Sequence, residues 1–229
     1  MKPIESIEEL ETWLTPLYRP PNMVGGHGVD HVQDIIALGP RIARFLDIDI
    51  LEYRAAAWLH NIDRCGLLER KVKSAGGIKP YIIGVVLAEE FFDLQARERI
   101  AEAVARHSER NDAPDFSDLL MALRIADKVV RLVPKNFLDG FAHWAHTQKF
   151  DPEHPFDYRK GSDSLWRRFM WNLEWIGMLP SDEARELIDV KELRVFGVWI
   201  SCKAGVPNTA ENEIKKAAGK YYYSMIAPR

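Results

Sequence analysis

The sequence contains little that stabilises a secreted or membrane-bound protein. It has two cysteines, Cys65 and Cys202, far apart in its 229 residues, which excludes a disulfide framework and favours a reducing compartment. No run reaches the roughly 18 apolar residues that a transmembrane helix needs, and residues 1–5 carry no apolar core of a signal peptide. We therefore expect a cytoplasmic protein without a membrane partner.

The chain also lacks a large charge excess and the common glycine-rich motifs. Its 31 basic and 34 acidic residues give a net charge of −3, so nothing in the overall balance attracts a nucleic-acid polymer. Phosphate-loop, dinucleotide-binding and nucleophile-elbow motifs are missing, as is a Cys-x-x-Cys pair. These absences remove several frequent classes of enzyme.

Helical spacing dominates what remains. With 47% hydrophobic residues the chain can bury a sizeable core, and no series of alternating residues is long enough to build a sheet. We predict an all-α fold with an N-terminal helix in residues 1–24, capped by Ser6 and Glu9, and a helical core in residues 25–132. In residues 133–229 an irregular segment, rich in proline and glycine up to about residue 161, precedes C-terminal helices that pack on the core.

A third helix, over about residues 49–61, is apolar on most faces yet ends in His60 and Asn61. A buried imidazole or amide without a partner costs about 1 to 3 kcal/mol. His31, His107 and Asp127 likewise fall on apolar stripes of other helices. Any one of them alone reads as a satisfied core residue, but imidazole and carboxylate groups on four helices together indicate a divalent metal site for Mn, Mg, Co, Ni, Fe or Zn.

The order of these residues resembles the HD superfamily of metal-dependent phosphohydrolases. Its signature is a first His, a His-Asp dyad at a helix end and a distant Asp, which His31, His60-Asn61 and Asp127 match in order. The flanks His27-Gly28-Val29-Asp30-His31 and Ala55-Ala56-Ala57-Trp58-Leu59-His60 are similar to those of the family. The resemblance covers about residues 25–132 and implies an HD-like helical bundle in which His31, His60, Asn61 and Asp127 hold the metal.

The chain departs from this family at the dyad, where Asn61 replaces Asp. A neutral amide oxygen is a weaker ligand than a carboxylate, so metal affinity should fall. Asp63 could compensate if the helix continues for one more turn. Two further alternatives stay open, namely an inactive descendant that keeps the pocket and a sequence in which this Asp was deliberately replaced.

The resemblance implies a mechanism in which the metal lowers the pKa of a bound water that attacks phosphorus. His107 would then be a proton donor or substrate contact, and Asp63 a second catalytic group. Arg64, Lys128 and Arg131 would bind the substrate phosphate, although ordinary surface charge explains them as well. We expect a hydrolase acting on a nucleotide or similar small phosphate ester.

Two alternatives to this function remain. One is a catalytically silent protein on the same scaffold that binds a nucleotide or a partner, and the other is an unrelated all-α protein with chance histidines. The sequence leaves a homo-oligomer open.

Overall fold

The computed structural model of the chain describes residues 2–23, 26–109, 115–144, 150–159 and 163–226. Over these residues the chain is all-α, with thirteen α-helices, two isolated bridges and no β-strand, which confirms the predicted fold class. None of the described helices combines the length and apolarity needed to cross a membrane. The chain divides into two compact units, Met1–Asp127 and Lys128–Arg229.

The first unit contains the helices that carry the candidate site. In chain order they are α1 (Ile7–Leu17), α2 (Val29–Ile42), α3 (Ile50–Leu59), α4 (Gly66–Ser74), α5 (Ile78–Tyr81), α6 (Leu94–Arg106) and α7 (Asp118–Val130), of which α7 ends in the second unit. A 3₁₀ segment, Ile62–Arg64, follows α3, and a π-helical turn, Ile82–Val86, follows α5.

Helix α3 lies at the centre of the first unit, in contact with α1, α2 and α6. Seven of its ten residues are buried, which explains why the sequence lacks a polar stripe there. Gly39 of α2 lets the two backbones approach, because a Cβ at that position would lie 2.8 Å from the Tyr53 ring. The Tyr53 hydroxyl donates to the Ile35 carbonyl oxygen at 2.7 Å and so fixes the pair of helices.

Side-chain caps fix where the site-bearing helices begin. The predicted cap of α1 is confirmed, because the Glu9 amide donates to Ser6 Oγ at 3.1 Å. Asp49 and Asp93 accept hydrogen bonds from the first-turn amides of α3 and α6. At the start of α7 the Leu120 amide donates to Ser117 Oγ at 3.3 Å. These caps set the register of the helices whose far ends carry His60, His107 and Asp127.

The second unit is built from α8 (Pro134–Trp144), α9 (Leu165–Gly177), α10 (Asp182–Arg185), α11 (Val190–Lys203), α12 (Thr209–Ala218) and α13 (Lys220–Ile226). Helix α11 packs against α8, α9, α12 and α13, and the rings of Phe137, Phe169 and Phe196 meet with centroids 5.1 to 5.6 Å apart. Helix α8 lies where weak periodicity predicted an irregular segment. It starts at Pro134, and proline is favoured at the first position of a helix.

Candidate metal centre

Three residues from three helices converge in the first unit. His31 on α2, His60 at the end of α3 and Asp127 on α7 each offer one ligand atom, and these atoms lie within 4.8 Å of one another. Both imidazoles are buried, with 3% of His31 and none of His60 exposed, while 16% of the Asp127 side chain is exposed. The convergence predicted from their helical stripes is confirmed, and these residues could hold a metal ion.

His60 and His107 are held in the same way at the ends of their helices. Each is the C-cap of its helix, and each places Nδ1 near the carbonyl oxygen three residues earlier, at 2.6 Å from Ala57 and 2.7 Å from Val104. Because a carbonyl oxygen only accepts, both Nδ1 atoms carry the hydrogen in the neutral rings. Each Nε2 therefore presents a lone pair, and this tautomer suits a metal ligand.

Burial lowers the pKa of both imidazoles. Loss of hydration lowers the pKa of His60 well below its ordinary value, and the neighbouring His31 and His107 lower it further. Burial also lowers the pKa of His107, against the opposing effect of the Asp127 carboxylate. A metal binds only the unprotonated imidazole, so the environment favours the form that can act as a ligand.

The two spacings that involve His31 fit ligands of a single ion. His31 Nε2 lies 3.1 Å from Asp127 Oδ1 and 3.3 Å from His60 Nε2. Adjacent ligands of an ion bound at about 2.1 Å are separated by roughly 3.0 to 3.4 Å in octahedral or tetrahedral geometry. The set of two imidazoles and one carboxylate suits Mn, Fe, Co, Ni or Zn better than Mg, which prefers oxygen.

Unsatisfied polar atoms support this reading. Among the described residues, the buried atoms without a hydrogen-bond partner include His107 Nε2, Asn61 Oδ1 and Asp63 Oδ1. His107 Nε2, in the tautomer inferred from its Nδ1 contact, and the two oxygens can only accept. Buried acceptors are normally paired, so a group of them without donors points to a cation or to a ligand that supplies hydrogens. His31 Nδ1 is also buried without a partner in the described part of the chain.

Asn61 contacts His60 through its amide nitrogen and not through its oxygen. It is fully buried, and its Nδ2 lies 2.5 Å from His60 Nε2, to which it donates a hydrogen bond. The amide thus takes up the lone pair that a metal would use. For Asn61 to serve as the predicted ligand, its side chain must turn so that Oδ1 replaces Nδ2.

Asp63 and Arg64 follow in the 3₁₀ segment, because α3 ends at Leu59. The further helical turn that would bring Asp63 beside His60 is therefore absent, and Asp63 is not a member of the ligand group. Burial is the main cause of the raised pKa of Tyr18 and of the lowered pKa of His107, but the Asp63 charge also acts on both groups, so Asp63 lies near them. Arg64 is exposed and lies close enough for its charge to lower the pKa of His107.

Lys128 and Arg131 are the two other residues predicted to bind the substrate phosphate. They belong to the second unit, are half-buried, and already have interactions within the chain. Their phosphate-binding role stays a prediction.

Two residues near the cluster were not recognised as site residues from the sequence. The ring of His27 lies 6.0 Å from that of His31 between centroids, and its Nε2 accepts a hydrogen bond of 2.6 Å from Arg64. Arg124, 2% exposed, donates to the carbonyl oxygens of His107 at 3.0 Å and Glu109 at 2.6 Å. His27 lies four residues before His31, and this helical spacing could have indicated that it is near the site. Arg124 could not be found in this way, because a buried arginine has no sequence signature.

A second group of possible ligands lies on the surface. It consists of Asp151, Glu153 and His154, all exposed, with His154 Nδ1 paired to Asp151 at 2.8 Å. Exposed acidic groups of this kind are common without an ion.

Comparison of the chain with protein-family models, curated proteins and solved structures found no match.

Proposed function

We propose that the chain is a metal-dependent phosphohydrolase that acts on a nucleotide or another small phosphate ester. The proposal rests mainly on the convergence of His31, His60 and Asp127, whose donor atoms all lie within 4.8 Å of one another. The resemblance of the same residues to the HD superfamily supports a phosphate ester as the substrate.

The ligands of the metal come from four side chains. His31, His60 and Asp127 hold the cation, and Asn61 adds a fourth ligand through Oδ1 when its amide turns. A bound divalent cation supplies Lewis-acid chemistry, since it polarises a phosphoryl oxygen and makes a nearby water more acidic.

The remaining groups act on the substrate. His107 Nε2, buried and without a partner in the described residues, accepts a hydrogen bond from the attacking water or from a substrate hydroxyl. Asp63 Oδ1 offers a second acceptor beside it, and the Arg64 guanidinium neutralises phosphate charge. Lys128 and Arg131 are weaker candidates for the latter role.

A second function is favoured by one observation. The hydrogen bond from Asn61 to His60 Nε2 competes with the metal, so a loaded site has to break it. A protein that keeps the pocket but binds a nucleotide or a partner without turnover would carry such a substitution.

Phosphate release separates the two functions. The chain is stripped with a chelator, loaded in turn with Mn, Co, Ni, Zn or Mg, and offered nucleoside mono- and triphosphates and sugar phosphates. We expect phosphate release that requires the metal. Asp127→Asn should abolish the release, whereas the control His154→Asn, a change in the exposed group, should leave it intact. Thermal stabilisation by a nucleotide without release would support the silent binder. If no phosphate compound is hydrolysed and none stabilises the protein, both proposed functions are contradicted.

A further inference from the structure

Arg64 makes an unusual hydrogen bond at the edge of the cluster. Its Nη1 lies 2.6 Å from His27 Nε2. A guanidinium group only donates, so His27 Nε2 provides a lone pair and the ring in this contact is neutral. The hydrogen bond therefore orients Arg64 without neutralising its positive charge.

Four other arginines of the first unit pair with carboxylates. Arg54 binds Glu11, Arg97 binds Glu89, Arg99 binds Glu52, and Arg106 binds Glu102, Glu109 and Asp115. Within the part of the chain that the structure describes, Arg64 has no carboxylate at ion-pair distance. Its charge is available to an anion from outside the protein.

The pair of Arg64 and His27 connects an exposed position with the buried His31. The His27 ring lies edge-on to the His31 ring with 6.0 Å between centroids, while Arg64 is exposed and its charge contributes to the lowered pKa of His107. An anion bound by Arg64 would thus lie beside the proposed metal site, where a phosphate ester has to place its phosphoryl group.

We propose that His27 is a positioning residue that holds the Arg64 guanidinium at the edge of the cluster, where Arg64 binds the phosphoryl oxygens of the substrate. This inference rests on the proposed function for the class of substrate. One of the five guanidinium hydrogens is used by His27, and the others remain for phosphate oxygens in a planar, forked arrangement. A freely rotating arginine would lose more side-chain entropy on binding, so the hydrogen bond to His27 improves affinity by pre-organisation.

Inorganic phosphate is the probe that tests this arrangement. Its affinity for the full chain is measured by titration calorimetry in saturating Mn²⁺, for the wild type and for Arg64→Ala, His27→Ala, His27→Gln and the double alanine variant. Arg70→Ala serves as the matched control, since Arg70 is also exposed and lies on α4 of the same unit.

Arg64→Ala should weaken phosphate binding by about tenfold or more, as expected for loss of charge-assisted hydrogen bonds. His27→Ala should weaken it by about threefold, and the double variant should be no weaker than Arg64→Ala, because His27 acts through Arg64. His27→Gln keeps an acceptor near the position of Nε2 and should restore most of the affinity. Mn²⁺ affinity should stay unchanged in all these variants, and Arg70→Ala should resemble the wild type.

Three results would overturn the inference: no phosphate binding by the Mn²⁺-loaded wild type, undiminished binding by Arg64→Ala, or losses in the two single variants that simply add in the double variant. Failure of the proposed function looks different. If phosphate affinity follows the expected pattern but no ester is hydrolysed, the anion site stands and the hydrolase proposal falls. If esters are hydrolysed while Arg64→Ala binds phosphate normally, the hydrolase proposal stands and the anion site at Arg64 falls.

Discussion

We expect Asn61→Asp to lower the stability of the metal-free protein and to raise its affinity for a metal ion. In the present chain the buried amide donates to His60 Nε2 at 2.5 Å, and its Oδ1 has no partner in the described residues. A carboxylate cannot donate, so it would place negative charge against the His60 lone pair. Without a cation that arrangement is repulsive, and with one it is a ligand.

The structure gives an expected size for both effects. Without metal, Asn61→Asp loses one hydrogen bond, worth about 1 kcal/mol, and buries a charge near Asp127, so the free energy of unfolding should fall by roughly 2 to 4 kcal/mol. With metal, the competing hydrogen bond is gone and an anionic ligand is added. Changes around metal ligands alter affinity by about 10- to 100-fold, and we expect tighter Mn²⁺ binding in that range.

Titration calorimetry with Mn²⁺, and urea unfolding with chelator or with saturating Mn²⁺, measure the two effects. Asn136→Asp is the matched control, because Asn136 is also buried and its Nδ2 donates to the Val130 carbonyl oxygen at 3.3 Å. The control should lose stability without any gain in metal affinity. Unchanged or weaker Mn²⁺ binding by Asn61→Asp would refute the reasoning, since Asn61 would then not face the ion.

Three further substitutions test the framework that holds the site. Gly39→Ala should lower the free energy of unfolding by about 1 kcal/mol. The new Cβ would lie 2.8 Å from the Tyr53 ring, and this contact costs more than the roughly 1 kcal/mol that alanine gains in helix propensity. A stabilised variant would contradict the close packing of α2 on α3. Arg124→Met should lower the free energy of unfolding, measured with urea, by about 3 kcal/mol, because three carbonyl oxygens at the end of α6 lose their buried donor. A loss below about 1 kcal/mol would mean that these hydrogen bonds contribute little to stability. Ser6→Ala should cost about 1 kcal/mol in the same assay through loss of the bond from the Glu9 amide, and a neutral effect would mean that this cap is not formed in solution.

The fold class and the convergence of the trio could be predicted because both follow from periodicity. The nearly unbroken apolar sequence of α3 indicates a helix buried on most sides, and His31 and Asp127 fall in step with apolar residues of α2 and α7. Residues on the buried stripes of neighbouring helices face one core, and they meet where they lie at the same level along the helices.

Other features depend on backbone turns that periodicity does not encode. The 3₁₀ turn after Leu59 keeps Asp63 out of the ligand group and turns Arg64 toward His27. Helix α4 is mostly polar and buries only Leu68 and Val72, so its stripe was too weak to be recognised. The same limit applied to α8, which begins at a proline.

Anomalous diffraction from crystals soaked in Mn²⁺ would show whether His31, His60 and Asp127 bind one ion. We expect one strong anomalous peak between His31 Nε2, His60 Nε2 and Asp127 Oδ1, at about 2.0 to 2.3 Å from each, with the Asn61 amide turned to present Oδ1. A fully occupied peak only at the exposed group of Asp151, Glu153 and His154, or no peak at the trio at saturating Mn²⁺, would contradict this expectation.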